Sequence, residues 1–147
     1  MQKKEESIIN AIEKQSLSYR NLKSVLIRQQ GAVKTGKVAE VEAASRESER
    51  IIADIEALED VKEKILADFS VPERNGYSLL MRQLEPDNSK KLEAALIGLA
   101  KSVKECQAEA AKSSYLLKNR VMFLDFVAAA NDKEDEKADK TVINRTI

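Results

Sequence analysis

The sequence predicts an all-α protein, an elongated antiparallel bundle of three long helices and one short helix, followed by a disordered C-terminal tail. The composition is that of long packed helices, because only 4% of the 147 residues are aromatic and 34% are charged. Apolar residues recur at steps of three and four along three long stretches. The two Pro residues fall between the second and third of these stretches, where they separate the predicted helices.

The first helix is predicted for about residues 3–33. Its apolar seam alternates steps of four and three residues if Gln15 and Gln29 hold two of the positions. The other members of the seam are Ile8, Ile12, Tyr19, Leu22, Leu26 and Val33. Two Gln on a seam either lower its rigidity or mark where the bundle opens. Gly31 and Gly36 then predict a turn or kink, because Gly is costly inside a helix and common just after its end.

The second helix is predicted for about residues 37–69. Its seam consists of Val38, Val41, Ser45, Ser48, Ile52, Ile55, Leu58, Ile65 and Phe69. Residues 1–36 carry seven basic and three acidic side chains, net +4, whereas residues 37–71 carry five basic and ten acidic, net −5. Opposite charge blocks favour an antiparallel hairpin of the two helices. Each exposed pair contributes only about 0.2–1 kcal/mol, so charge sets the register more than the stability.

The third and fourth helices are separated from the second by Pro72. A short amphipathic segment, with Tyr77, Leu80, Met81 and Leu84, predicts a small helix or lid across one end of the bundle. The last helix is predicted for residues 89–130, with its N-cap supplied by one of residues 87–89.

The seam of the last helix has the most regular spacing in the chain. It runs through Leu92, Leu96, Leu99, Val103, Cys106, Ala110, Ser113 and Leu117, and then changes step to Val121, Leu124 and Ala128. Such a stutter locally unwinds a supercoil. At about 1.5 Å per residue the helix would be roughly 60 Å long. Because neither partner helix can cover that length, we expect its C-terminal end to project.

We expect one helical domain, residues 1–131, and a flexible charged tail, residues 132–147. The mixed charges after residue 131 show no apolar period, which is typical of a solvated disordered segment. The tail ends in a patch of β-branched residues that includes Val142, Ile143 and Ile147.

Several classes of function are disfavoured by the composition. The 25 basic and 25 acidic residues cancel, so no net basic face is available for nucleic acid. No segment approaches the roughly 18 apolar residues of a membrane span, and the charged N-terminus lacks a signal peptide. Without His, and with Cys106 predicted as a buried structural thiol, neither a catalytic nor a metal site is expected. We predict a cytoplasmic protein that is not an enzyme and needs no cofactor.

Residues 116–127 carry more apolar side chains than one helix seam requires. Met122, Phe123 and Phe126 lie on faces other than the seam, so this part of the helix is apolar nearly all round. The segment either packs as core against the first helix and the lid, or binds an amphipathic partner helix in a groove. Its expected projection and the stutter favour partner binding. The candidate partner-binding residues are Leu117, Val121, Met122, Phe123, Phe126 and Val127.

A second hypothesis is a structural coiled-coil protein that self-associates through residues 116–127. We expect the chain to be a monomer or a weak dimer. A stable homodimer that Phe123→Asp and Phe126→Asp convert to a monomer would favour this scaffold hypothesis.

The order of the parts resembles the FlgN family of flagellar type III export chaperones. The similarity lies in the small-residue break at residues 31–41, the acidic helix containing residues 48–55, the Asn-containing last helix at residues 116–121 and the short tail ending at residues 144–147. It spans nearly the whole chain.

The resemblance implies a cytosolic chaperone that binds the C-terminal helical regions of the hook–filament junction (hook-associated) proteins. Such a chaperone keeps them from premature assembly and delivers them to the export gate. The family's substrate contacts correspond here to the six candidate residues between Leu117 and Val127. Gate docking in the family involves the tail and an aromatic residue. Since no aromatic residue follows Phe126, docking would use Val142, Ile143 and Ile147.

Overall fold

The computed structural model describes the backbone of residues 2–72 and 75–134, and side chains as far as Asn119. Four helices make up this part of the chain: α1 (Gln2–Lys34), α2 (Val38–Asp68), α3 (Gly76–Gln83) and α4 (Pro86–Glu134). These residues include no strand, and the predicted all-α class is confirmed. The last helix begins three residues before the prediction and continues four residues past it.

The three long helices run up, down and up, with α1 packed along both of the others. Gln29 of α1 is hydrogen-bonded to Ser45 near the start of α2, and Gln15 is hydrogen-bonded to Ile55 farther along it, so these two helices are antiparallel. Ser16 is hydrogen-bonded to Ser102, and Gln30 to Glu109, so α4 is parallel to α1. Along the described chain, α2 and α4 scarcely approach each other.

The turn between α1 and α2 is built on Gly36. Its φ of 70° lies in the left-handed region, which suits a residue without Cβ. The amide of Lys37 donates to the carbonyl of Ala32 over 2.9 Å, which closes the turn. Gly31 lies inside the last turns of α1, so the predicted break is made by one of the two Gly residues.

The base of the bundle, where α1 and α4 begin, holds the larger apolar cluster. Ile8, Ile12, Leu80 and Leu92 are fully buried there, so all three of the helices that contribute them are fixed at this end. Leu66, Phe69, Val71 and Leu84 complete the cluster with Ile9. The short helix α3 therefore covers one end of the bundle as a lid, as the sequence predicted.

The upper half of the bundle holds a thinner cluster around Leu22, Val25 and Leu26 of α1, to which α4 contributes Cys106. On α2, Ile51 is buried in this cluster with Ala44 and Ile55, whereas the predicted seam residue Ile52 is 43% exposed. The assignment of Ile52 to the seam was therefore wrong by one residue. Two adjacent Ile satisfy the apolar spacing equally well, and only contact with α1 distinguishes them.

A buried polar network explains why a Gln occupies the seam of α1 at position 15. Gln15 donates to the carbonyl of Ile55 over 3.2 Å and to the carboxylate of Glu59 over 2.9 Å. The ammonium group of Lys62, itself buried, donates to the Gln15 amide oxygen over 2.6 Å and pairs with Glu59 at 3.0 Å. Gln15 is thus a satisfied core residue that ties α1 to α2 in one register.

Replacing Lys62 by Ala is expected to lower the free energy of unfolding by about 1–3 kcal/mol, because a buried acceptor on Gln15 loses its donor. Gln15→Leu combined with Lys62→Met should cost much less than the two single changes together, since both polar groups leave the core. Urea denaturation of the four chains measures this coupling. Lys64→Ala, at an exposed position of the same helix, is the control. An unchanged stability of Lys62→Ala would show that the network contributes nothing.

Candidate partner-binding surface

At the upper end of the bundle, α4 continues past the end of its neighbour α1. Lys34, the last residue of α1, lines a shallow depression with Lys112, Tyr115 and Leu116 of α4. The backbone of α4 continues as a helix for 18 residues after Leu116, to Glu134. At 1.5 Å per residue this segment is about 27 Å long. The prediction that α4 is longer than α1 can cover therefore agrees with the level at which α1 ends.

Most of the predicted partner-binding residues lie on this upper segment. Leu117 is half-buried. Val121, Met122, Phe123, Phe126 and Val127 lie on the backbone of α4, and their side chains are outside the described part of the structure. Val142, Ile143 and Ile147 lie outside the described residues altogether. The assignment of both sets to partner binding stays a prediction.

The depression beside Lys34 has a volume of about 420 Å³ and is lined mostly by apolar atoms. Its lining includes Gln30 and Ala111 as well as the residues named above. The side chain of Tyr115 is 66% exposed at its edge. Tyr115 was not among the predicted site residues, because it lies off the apolar seam of α4. An aromatic residue next to the start of the apolar segment at residue 116 was the available signal.

Farther down the bundle, Tyr19 lies where the three long helices face one another. It is the one member of the α1 seam that remains half-buried, and it packs against the upper cluster. Burial raises the pKa of its phenol, and the nearby Glu59 carboxylate of α2 and Cys106 of α4 raise it further. Because the upper cluster includes Ile51 of α2 and Cys106 of α4, Tyr19 lies between these two helices.

The predicted role of Cys106 as a buried thiol is confirmed. Its side chain is buried among the apolar residues of the upper cluster. Burial raises the pKa of the thiol, although Lys23 acts in the opposite direction. A raised pKa keeps the group in its unreactive protonated form near neutral pH.

Two other properties of the described residues bear on function. No group of three or more acidic or Cys side chains among them is placed to hold a metal ion. Within the same part of the chain, no helix combines the length and the apolar character needed to cross a bilayer.

The described residues form a long helical bundle whose last helix continues past the end of its neighbour. The family model described as FlgN protein matches residues 1–133, which is nearly all of the described chain. The chain therefore belongs to the FlgN family, whose members act as chaperones in flagellar export. No curated protein and no solved structure matches the chain.

Proposed function

We propose that this protein is a cytoplasmic export chaperone that binds the C-terminal helical regions of hook-associated proteins and delivers them to the flagellar type III export gate. The observation that carries the proposal is the continuation of α4 past the end of α1, into a segment rich in apolar residues. Membership of the FlgN family supports the general role of an export chaperone.

The proposed mechanism is reversible burial of apolar surface. The C-terminal helical regions of the cargo together cover Met122, Phe123 and Phe126 and the seam residues Leu117 and Val121. Burial of apolar area contributes about 25 cal/mol per Å², and the losses of motional freedom on association offset much of this gain. The expected affinity is therefore micromolar, tight enough to protect the cargo and weak enough to release it. Met suits the surface because its flexible side chain adapts to different cargo helices.

Delivery requires a second contact, which we assign to the C-terminal tail. Val142, Ile143 and Ile147 are the apolar residues of its last segment, and a charged linker would let them reach a gate component while the bundle holds the cargo. Deleting residues 141–147 is therefore expected to leave cargo binding unchanged and to lower secretion of the cargo.

Capture from cell extract followed by mass spectrometry tests the cargo assignment. The full chain should recover hook-associated proteins, and recovered candidates should rebind as purified proteins with micromolar Kd. Truncating the cargo before its C-terminal helical region should abolish rebinding. Recovery of no flagellar junction protein would count against the cargo assignment. A stable homodimer that Phe123→Asp and Phe126→Asp convert to a monomer would favour self-association instead.

A further inference from the structure

The arrangement of α2 and α4 around α1 leaves one position of a four-helix bundle unfilled. This position lies diagonally opposite α1, between α2 and α4, and we call it the fourth corner. Gln15 is hydrogen-bonded to α2 and the next residue, Ser16, to α4; the same holds for Gln29 and Gln30. Successive residues of an α-helix point about 100° apart. The direction from the α1 axis to α2 therefore differs from the direction to α4 by about 100°. This separation explains why α2 and α4 scarcely approach each other. Three long helices occupy three corners of a square bundle.

At the base of the bundle, α3 covers this fourth corner. A Cβ at Gly76 would lie 4.0 Å from Leu66 of α2, and α3 packs against α4 on its other side. Leu80 of α3 is completely buried in the basal cluster. Burial raises the pKa of the nearby Tyr77 to about 12, with a smaller contribution from Glu59 of α2. The chain itself thus uses an amphipathic helix to cover this corner, over only eight residues.

Above α3, the faces of α2 and α4 that border the fourth corner carry apolar side chains. Other described residues cover these side chains only in part. On α4, Ser102 faces α1 and the adjacent Val103 is half-buried, about 100° farther round the helix. On α2, Ile51 faces α1 and the adjacent Ile52 is 43% exposed. Between these two faces, the half-buried Tyr19 of α1 lies at the bottom of the fourth corner. The regular seam of α4 therefore faces the open corner as much as it faces α1.

The face of α2 that borders the fourth corner is acidic. Ile52, Glu56, Glu59 and Glu63 follow at steps of four, three and four residues, so they form one row on the helix. All four side chains are exposed. A helix that fills the corner would place one flank against this row, and Lys or Arg on that flank would complement its charge.

We propose that the upper part of this fourth corner binds an amphipathic cargo helix whose apolar stripe packs on Tyr19, Val103 and Ala110 and whose basic flank faces the acidic row of α2. This inference rests on the proposed chaperone function and deepens it by naming the site. The seam of α4 continues from Ala110 through Leu117 to Val121, so this cargo helix can lie along the bundle and reach the projecting end of α4. Met122, Phe123 and Phe126 lie on other faces of that end and would contact another part of the cargo's helical region. The bound helix would occupy the fourth corner above the part that α3 covers.

A matched pair of substitutions on α2 tests the site. Ile52 and Val61 are 43% and 44% exposed, and their spacing of nine residues places them on opposite faces of the helix. The probe is the fluorescein-labelled C-terminal helical region of a hook-associated protein from the same organism, measured by fluorescence anisotropy against the full chain. Ile52→Asp should raise Kd at least tenfold, and Val61→Asp should leave it within twofold.

Charge reversal on the same helix gives an independent test that leaves apolar packing intact. Glu56→Lys combined with Glu63→Lys should raise Kd at least fivefold, with the effect shrinking at high salt. The charge-matched control, Asp54→Lys combined with Asp68→Lys, changes the net charge equally on the opposite side of α2 and should leave Kd within twofold. Circular dichroism of each variant verifies that the bundle is folded.

The possible failures are distinguishable. If the unmodified chain does not bind the probe, the proposed function fails and the site falls with it. If the unmodified chain binds and Ile52→Asp matches Val61→Asp, the fourth corner is not the site, while the chaperone function stands. If Ile52→Asp converts a dimer of this chain to a monomer without changing probe binding, the corner holds a second copy, which also overturns the proposal.

Discussion

Replacing Met122 and Phe126 together by Glu is expected to abolish cargo binding, with a loss of at least 100-fold in affinity. Both positions lie on the part of α4 that continues past the end of α1. Aromatic and Met side chains at the centre of an interface often contribute most of its binding energy, and two carboxylates would be desolvated by the bound cargo. Isothermal titration with the C-terminal region of a hook-associated protein measures the loss.

The control for this pair is Ile97→Glu combined with Leu17→Glu. These two apolar side chains are 64% and 50% exposed on the bundle, so the control adds the same charge without touching the upper segment. Both double variants should retain the helix content of the unmodified chain by circular dichroism. Loss of helicity in the Met122 and Phe126 variant would mean that those residues belong to a folded core, and the interface claim would be wrong.

Replacing Leu80 by Ala should lower the free energy of unfolding by about 2–5 kcal/mol. Leu80 is completely buried and is the residue through which α3 enters the basal cluster. Removing its side chain leaves a cavity in the basal cluster, in addition to the lost transfer free energy. Urea denaturation measures the change, and an unchanged m-value would indicate that the folded state remains equally compact.

The neighbouring Leu79 provides a control of identical chemistry. It is 37% exposed on the outer side of the same helix, so Leu79→Ala should cost well under half as much. If both substitutions cost the same small amount, α3 would contribute little to the basal cluster, and its role as a lid would be contradicted.

The seam of α1 could be predicted from the sequence because α1 is covered on two sides. Ile8, Ile12, Leu22 and Leu26 are buried as their spacing indicated, and so are both Gln residues. The reason for Gln15 could not be predicted, since its partner Lys62 lies 47 positions away and only the register of α1 against α2 brings them together. Local patterns show that a position is buried but not what it contacts.

The phase of α2 was harder to predict because this helix has one long neighbour. Ile51 and Ile52 offer two equally apolar seams, and packing against α1 selects the first. The regular spacing along α4 raises a related difficulty. Val103 and Ala110 belong to its seam and are half-buried, whereas Ser102 lies off the seam and is buried against α1. A small polar residue allows close approach of the helices, and the apolar periodicity gave Ser102 no weight.

The candidate site was predicted from composition, and its position on the fold followed from helix lengths. The surplus of apolar residues at 116–127 and the length of α4 are both visible in the sequence. Only the structure shows that α1 ends beside Lys112 and Tyr115 of α4. The fourth corner could not be predicted, because it depends on the angle between α2 and α4 around α1.

The accessibility of residues 122 and 126 before and after cargo binding tests the central claim most directly. Met122→Cys and Phe126→Cys, each in a Cys106→Ser background, report it through their rates of alkylation. We expect rapid alkylation in the free chain and at least tenfold slower alkylation with saturating cargo peptide. Slow alkylation already in the free chain would show that the monomer itself covers these side chains, and this result would contradict the claim.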